Sequence, residues 1–342
     1  MTDAARPTPR IDCRIAAVAH HLPARVWTNQ DVIDAHGLRL KDAWVRENIG
    51  VRERRWCEPG ETTSSLAAEV CSQLLAKTGL TPAHVDRLIV ATVSPDVPTP
   101  STACVTQSLF APEENFPAVD VVAACGGFLY ALDYGRRCVQ TGDERVLVVA
   151  AEIRSAFLNK QDRRTVMLFG DGAAGVLLER TRGDEVGIVD TQVFAEGSHW
   201  QAISVPAGGT QRPTSAETLA NHEHSITMRD GGSIFERAVD EMAALTQQIC
   251  AQHGVLIEDV SFFAFHQASA RIVRRVCELL GVPESKTRVD FETLGNCTAA
   301  SVPLVLSLAA EAGQVQQGDL VVAVATGGGF TAGAALFRWE LP

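Results

Sequence analysis

The stretch "GDLVVAVATGGGFTAGAALFRW", residues 318–339, decides the fold, because an earlier part of the chain has the same layout. There, "ERVLVVAAE" (144–152) is followed by "FGDGAAGVLLER" (169–180), so that each copy holds an apolar run, a turn containing glycine and a second apolar run. Short apolar runs bounded by glycine are typical of buried strands. A repeat at about half the chain length predicts two similar halves packed around one core.

The rest of the chain alternates helical and strand patterns, which predicts an α/β protein. Helices are expected over 64–80, 100–110, 127–142, 233–254, 270–281 and the later part of 294–313. Strands are expected over 85–94, 119–125, 145–152 and 260–269, with a pair of strands around a turn in both 165–180 and 319–339. The boundary is expected near 181–186, which gives an N-terminal half of 1–182 and a C-terminal half of 183–342. The polar stretch 207–225 is expected to be a mobile loop.

Composition excludes several classes of function. The formal net charge of the 342 residues is −11, which argues against a nucleic-acid binder. No apolar run approaches the roughly 18 residues that a membrane-spanning helix needs. The first segment, "MTDAARPTPRID", lacks the apolar core of a signal peptide and is expected to be a disordered tail, so a cytoplasmic protein without a membrane partner is expected.

Cysteine and histidine spacing does not indicate a metal site. The chain has nine cysteines without a C-x-x-C pair, so most are expected to be reduced, buried thiols. His222 and His224 supply only two ligands, so no metal is expected there.

Cys125 is the first candidate for chemistry. In "VDVVAACGGFLYALDYGRRC" (119–138) it lies where a predicted strand passes into a predicted helix. The partial positive charge of a helix N-terminus favours a thiolate, so the pKa of this thiol is expected to fall. Gly126 and Gly127 permit a sharp turn and close approach of a substrate. The alternative is a buried cysteine in a tight packing turn, and this segment alone leaves both open.

Two further polar residues lie in comparable positions. His266 ends the strand of "SFFAFHQAS", where catalytic groups of α/β proteins commonly lie, although a structural histidine is the alternative. Asn296, in "LGNCTAAS", precedes a helix and is otherwise a cap or turn residue. The loop "ATGGGFTAG" (325–333) has two interpretations: it supplies a backbone N–H for an oxyanion, or it is simply a tight hairpin.

Together, "AACGGF", "FGDGAAGVLL", "FHQASARI", "GNCTAASVPL" and "GGGFTAGAAL" resemble β-ketoacyl-ACP synthase III, within the thiolase superfamily, over about residues 11–340. The resemblance implies a five-layer αβαβα fold of two similar halves and a homodimer. It also implies a catalytic set of Cys125, His266 and Asn296, with oxyanion donors at the backbone of Cys125 and Gly328.

The implied reaction is acyl transfer followed by condensation. Cys125 would take an acyl group from acyl-CoA, and a malonyl thioester on acyl carrier protein (ACP) or CoA would lose CO₂. His266 and Asn296 would stabilise the resulting enolate, which attacks the acyl group. The resemblance implies no metal and no redox cofactor.

Residues for CoA and ACP are implied as well. Trp44 matches a tryptophan that stacks on the adenine of CoA, but Asn48 stands where an arginine usually completes that clamp. Arg163 matches an arginine that contacts the CoA phosphates. Residues matching an ACP-docking surface, or continuing it at helical spacing, are Arg271, Arg274 and Arg275.

Three departures bear on the substrate. Ser269 replaces an asparagine that supports the family's site by hydrogen bonding. Thr326 replaces a common phenylalanine and is expected to widen the mouth of the site. Thr99 stands where some members carry a phenylalanine that closes the partner subunit's acyl pocket, so an acyl primer larger than acetyl is expected: medium-chain, branched or aromatic.

Three alternatives compete with condensation. Some relatives pass the acyl group to an alcohol or amine. A hydroxymethylglutaryl-CoA synthase is less favoured, because only Asp120 precedes the cysteine as a candidate acid. A non-catalytic partner subunit would tend to lose the cysteine, which this chain keeps.

Overall fold

The computed structural model of the protein describes residues 13–181, 187–229 and 231–341, so the expected tail and the expected boundary at 182/183 lie outside the described residues. The strands are β1 (Cys13–His21), β2 (Val26–Thr28), β3 (Glu53–Arg55), β4 (Arg87–Ala91), β5 (Ala118–Val121), β6 (Arg145–Glu152), β7 (Gly172–Arg180), β8 (Ile188–Ala195), β9 (Ile203–Ser204), β10 (Thr227–Met228), β11 (Phe262–Phe265), β12 (Leu320–Thr326) and β13 (Thr331–Arg338). The helices are α1 (Asn29–His36), α2 (Asp42–Asn48), α3 (Thr63–Thr78), α4 (Thr102–Phe110), α5 (Gly127–Thr141), α6 (Ala216–Ala220), α7 (Gly231–Gln252), α8 (Ala270–Leu280), α9 (Phe291–Leu294) and α10 (Ser301–Glu311).

Two large sheets share one strand order. The first is β1-β7-β6-β4-β5, in which β4 is parallel to β5 and β6, and β7 is antiparallel to β6 and β1. The second is β11-β12-β13-β8, in which β11 and β12 are parallel and β13 is antiparallel to both of its neighbours. The counterpart of β5 is reduced to a single parallel bridge between Phe263 and Thr287. The repeat seen in the sequence is therefore a repeat of sheet topology.

Helices and sheets alternate in five layers, αβαβα. Helices α5 and α10 contact strands of both sheets and form the middle layer. Helices α3 and α4 cover the outer face of the first sheet, and α7 and α8 cover that of the second. The core between the sheets is built from buried aliphatic and aromatic side chains, including Phe128, Leu132, Val302 and Phe337. The α/β class and the five-layer fold expected from the sequence are confirmed.

One predicted strand is wrong. Residues 165–168 form turns, with the Thr165 and Leu168 N–H groups donating to the carbonyls three residues earlier at 3.1 and 3.0 Å. The Asp171 carboxylate then accepts the backbone N–H groups of Cys57 and Ser155, each at 2.8 Å. These bonds fix the segment as a loop that packs on neighbouring loops. Only the following stretch, "GAAGVLLER" (172–180), pairs as a strand.

Three other strands are shorter than the sequence predicted, because the residues after them lie in or near the candidate site and do not pair. Strand β4 spans Arg87–Ala91, β5 spans Ala118–Val121 and β11 spans Phe262–Phe265. Within 207–225 the structure contains the short helix α6, and Arg212 pairs with Glu217 and Glu223. The mobility of that stretch stays a prediction. In the described part of the chain, no helix is both long and apolar enough to cross a membrane.

Candidate active site

Cys125 lies in a tight turn between β5 and α5. The chain leaves β5 at Val121, and Ala124 takes a φ of 44°, which non-glycine residues rarely adopt. The Thr331 hydroxyl donates to the Ala123 carbonyl at 2.6 Å and ties this turn to the other half of the molecule. Backbone strain of this kind concentrates at functional sites when the surrounding structure fixes it.

The glycine-rich loop after β12 lies directly against the cysteine. A Cβ on Gly327 would lie 2.6 Å from the Cys125 nitrogen, so only glycine fits there. The backbone N–H groups of Gly328 and of Cys125 itself lie close enough to the Cys125 thiol to favour its charged form. The two N–H groups that the resemblance implies as oxyanion donors therefore meet at one sulfur atom.

The expected fall in the pKa of Cys125 is wrong for this structure. Burial raises the pKa of the thiol to about 12, and the negative charge of Glu152 adds to the increase. The Arg154 charge and the two N–H groups act in the opposite direction, but more weakly. The cause is that the helix N-terminus lies in a desolvated site beside an acid, where burial outweighs the helix dipole.

His266 is fully buried, and burial lowers its pKa to about 3, so the imidazole is neutral at physiological pH. Its Nδ1 lies 2.5 Å from the Ser301 hydroxyl, and its Nε2 has no hydrogen-bond partner in the described part of the chain. The Gln267 N–H donates to the Ser301 oxygen at 3.4 Å. If Ser301 donates in turn to Nδ1, the imidazole proton is on Nε2, where it faces no protein acceptor.

Asn296 is held by the loop before β7, which was predicted to be a strand. Its N–H donates to the Leu168 carbonyl at 2.8 Å, and its carbonyl accepts the Gly170 N–H at 3.2 Å. The side-chain oxygen accepts the Thr298 N–H at 2.8 Å. The amide group Nδ2 is thereby left as the donor available to a ligand.

Cys125, His266 and Asn296 line one small cavity of about 70 Å³, together with Thr326 and Gly328. A second cavity of about 210 Å³ shares Asn296 with it and Leu168 with an outer cleft of about 920 Å³. Through these shared residues the three cavities adjoin one another, as a chain of cavities from the outer cleft to Cys125.

Trp44 and Arg163 both line the outer cleft, with Arg39, Lys41 and Arg164 nearby. The Trp44 side chain is 48% exposed, and Arg163 has no ion-pair or hydrogen-bond partner among the residues that the structure describes. Asn48 does not take the place of the missing arginine, because its amide donates to the Trp44 carbonyl at 2.9 Å.

The three arginines of α8 are exposed, but each has a local partner. Arg274 pairs with Glu292 at 2.6 Å, and Arg275 pairs with Glu278 at 2.9 Å. The Arg271 guanidinium lies 5.4 Å from the centre of the Phe235 ring. Arg271 is therefore the one least neutralised by acids of its own chain.

The other departures take definite places. The Ser269 hydroxyl accepts the Ile272 N–H at 3.2 Å and caps α8, so it does not support the site directly. Thr326 is buried in the wall of the small cavity. Thr99 is exposed on the surface of the subunit. Asp120 accepts the N–H groups of Thr102 and Ala103, both at 2.7 Å, and caps α4.

Three functional positions were missed in the sequence. Glu152 and Arg154 flank the end of β6, and both are buried near Cys125. The sequence signal for Glu152 was its position as a charged residue at the end of the apolar run "RVLVVAAE". Nothing in the local sequence distinguishes Ser301 from other helix serines. Among the described residues there is no group of three or more His, Cys, Asp or Glu that could hold a metal ion.

Comparison with known proteins identifies the family of this chain. The family model described as 3-oxoacyl-[acyl-carrier-protein] synthase III matches residues 119–197, and the model of its C-terminal part matches residues 250–339. The β-ketoacyl-ACP synthase III of Chlorobaculum tepidum is 35% identical, over 95% of this chain and 99% of the relative. That of Koribacter versatilis is 36% identical, over 95% and 97%.

Solved structures show the same likeness. The synthase III of Aquifex aeolicus matches with a TM-score of 0.85 and 33% identity, over 96% of this chain and all of the other. The priming β-ketosynthase of the R1128 polyketide pathway matches with a TM-score of 0.87 and 26% identity, over 99% of this chain and all of the other.

A duplicated αβαβα fold with cysteine, histidine and asparagine around one cavity defines a thiolase-like acyltransferase. The relatives and the family models narrow that class further. The chain belongs to the β-ketoacyl-ACP synthase III family.

Proposed function

We propose that Cys125 accepts an acyl group from acyl-CoA and that the acyl group is then condensed with a malonyl thioester. The observation that carries the proposal is the small cavity in which Cys125, His266 and Asn296 meet, with the Gly328 N–H at the sulfur. The family membership makes the chain a condensing acyltransferase, and the geometry supports the following assignment of the steps to residues.

In the first step the Cys125 sulfur attacks the thioester carbonyl of acyl-CoA. The N–H groups of Cys125 and Gly328 stabilise the oxyanion of the tetrahedral intermediate. The C–S bond to CoA breaks, and the thiol proton of Cys125 leaves with CoA as its free thiol. The product is an acyl-cysteine thioester.

In the second step the malonyl thioester loses its carboxylate as CO₂, and the electron pair forms an enolate. The Nε2–H of neutral His266 and the Nδ2–H of Asn296 donate to the enolate oxygen without protonating its carbon. The enolate carbon attacks the acyl carbonyl, the bond to sulfur breaks, and Cys125 takes up one proton. Atoms and electrons balance in both steps with no metal or redox cofactor.

CoA is proposed to occupy the outer cleft. The Trp44 ring offers a stacking face for adenine, and Arg163, which has no partner in the described ranges, suits phosphate. The chain of cavities gives the pantetheine arm a route to Cys125. ACP, an acidic carrier, is proposed to dock at Arg271, Arg274 and Arg275, of which Arg271 is the least neutralised. These reactions are proposed to take place in the cytoplasm.

A homodimer is proposed through the edge strand β5. Among the described residues this strand pairs only with β4, and Val122 beside it is 76% exposed, so the strand presents unpaired backbone groups and apolar surface. Light scattering after gel filtration should give twice the 36.7 kDa chain mass. A monomer at micromolar concentration would contradict the dimer.

The primer is proposed to be larger than acetyl. A cavity of about 340 Å³ lies beside Cys125, while a two-carbon group fills only a few times the roughly 30 Å³ of one water molecule. Thr99 is exposed, as a residue facing a partner's acyl pocket would be. Octanoyl-CoA should load Cys125 faster than acetyl-CoA, and a strong preference for acetyl would contradict this.

The test of condensation is the release of CO₂. Acyl-enzyme, freed of excess acyl-CoA, is mixed with malonyl-ACP or malonyl-CoA labelled in the free carboxylate. Labelled CO₂ and a β-ketoacyl product are expected with wild type and not with Cys125→Ala. Stable acyl-enzyme that releases its acyl group only to an alcohol or amine would favour the transferase alternative.

A further inference from the structure

The larger cavity beside Cys125 has a buried cation in its wall. Arg154 and Cys125 both line this cavity of about 340 Å³. The rest of the lining is mostly apolar, and includes Val93, Val122 and Trp200. An arginine in such a wall requires an explanation, because burying a guanidinium is costly unless its charge is compensated.

Arg154 is only 6% exposed even in the single subunit, so its burial does not depend on a partner chain. Its guanidinium lies 5.5 and 5.9 Å from the ring centres of Phe157 and Phe169, which hold it in place. The structure therefore keeps the charge in the wall of the cavity.

The hydrogen-bonding capacity of Arg154 is mostly unused. Of its five N–H donors, the structure pairs one, from Nη1 to the Val93 carbonyl at 3.1 Å. Its Nε is buried and has no hydrogen-bond partner among the described residues. No carboxylate of the described residues lies within ion-pair distance of the guanidinium.

The acid that interacts with Arg154 through space makes its hydrogen bonds with other groups. Glu152 influences Arg154 through space, but its carboxylate accepts the Ser94 hydroxyl at 2.5 Å and the Val93 N–H at 3.3 Å. Burial also raises the pKa of Glu152 to about 7, so this carboxyl is only partly ionised at neutral pH. Within the described part of the chain, Arg154 is left as a buried cation without a direct counter-ion.

We propose that the acyl group loaded on Cys125 carries a second carboxylate, which binds Arg154 in this cavity. The substrate class is the CoA monothioester of a dicarboxylic acid, whose apolar methylene segment lies along the cavity wall. The carboxylate supplies both the missing charge and the missing acceptors. This inference rests on the proposed acylation of Cys125 and narrows the choice of primer.

The test compares acyl-CoAs matched in chain length. Loading rates of Cys125 are measured by intact-mass spectrometry with succinyl-CoA against butyryl-CoA, glutaryl-CoA against valeryl-CoA, and adipyl-CoA against hexanoyl-CoA. Cys125→Ala corrects for chemical acylation elsewhere. In at least one pair the dicarboxylic member should load roughly ten- to a hundred-fold faster, the range expected of a hydrogen-bonded charge.

Arg154→Met should abolish that preference or reverse it, and Arg154→Lys should keep part of it. Equal loss of both members of a pair in Arg154→Met would mean that Arg154 acts on Cys125 or on the fold, and would overturn the inference. So would wild type that loads every plain acyl group at least as fast. No loading of any acyl-CoA would contradict the proposed function itself.

Discussion

Burial dominates the acid–base behaviour of Cys125. Its pKa of about 12 means that below that value the thiolate fraction rises tenfold for each pH unit. Iodoacetamide labelling of Cys125, followed by peptide mapping, should therefore keep rising from about pH 7 to about pH 10. A plateau near pH 7 would show a stabilised thiolate and contradict the desolvated site.

Ser301 positions His266. Without its hydroxyl, Nδ1 loses its partner and the proton is no longer held on Nε2. Ser301→Ala should slow CO₂ release from the malonyl thioester about tenfold or more, while acyl loading of Cys125 changes little, because only the second step uses the Nε2–H donor.

Ser307→Ala is the matched control for that variant. Ser307 is also buried on α10, and its hydroxyl lies 2.8 Å from His20 Nδ1, away from the catalytic cavity. Both variants should lose stability by about 1–3 kcal/mol. Equal effects of the two on CO₂ release would show that Ser301 has a purely structural role.

At the scale of the element, the glycine-rich loop after β12 packs with its backbone directly against the backbone of the Cys125 turn. Gly327→Ala places a methyl group 2.6 Å from the Cys125 nitrogen, so the loop and its Gly328 N–H must shift. Acyl loading should fall about a hundred-fold or more, the cost typical of losing one oxyanion donor.

Gly209→Ala controls for the substitution itself, since nothing lies within 4 Å of a Cβ at that exposed position. Loading rates of both variants are compared by mass spectrometry. If Gly327→Ala loads the acyl group as fast as wild type, the Gly328 N–H is not an oxyanion donor.

Periodicity was enough to predict most elements, because apolar runs such as Val146–Ala151 are buried whatever they pair with. It failed at 165–168, where hydrogen bonds within the loop and to the neighbouring Asp171 outweigh the strand pattern. Cys125, His266 and Asn296 were predicted from their strand and helix ends and the family motifs, and the structure brings them to one cavity. Glu152 and Arg154 were not, because their burial depends on segments distant in the chain.

At the scale of the whole molecule, the site is the meeting point of the two halves. Cys125 precedes α5, Asn296 precedes α10, and these two helices are the middle layer. His266 follows β11 of the second sheet, to which the Cys125 turn is tied through Thr331. The duplication therefore brings residues of both halves to one cavity.

The outer cleft is proposed to bind the nucleotide end of acyl-CoA, far from the reacting thioester. Trp44→Ala should raise the KM for acyl-CoA about five- to tenfold and leave the KM for the matching acyl-pantetheine unchanged, because only the CoA ester has adenine to stack. Steady-state kinetics with both thioesters measures this. An equal rise for both would mean that the cleft does not bind the nucleotide.

The central claim is that Cys125 carries the acyl group. Intact-mass and peptide mass spectrometry after incubation with a panel of acyl-CoAs tests it most directly. We predict one added acyl mass per chain, located on the Cys125 peptide, absent in Cys125→Ala and lost when a malonyl thioester is added. An unmodified wild-type chain, or an adduct that persists in Cys125→Ala, would contradict the account.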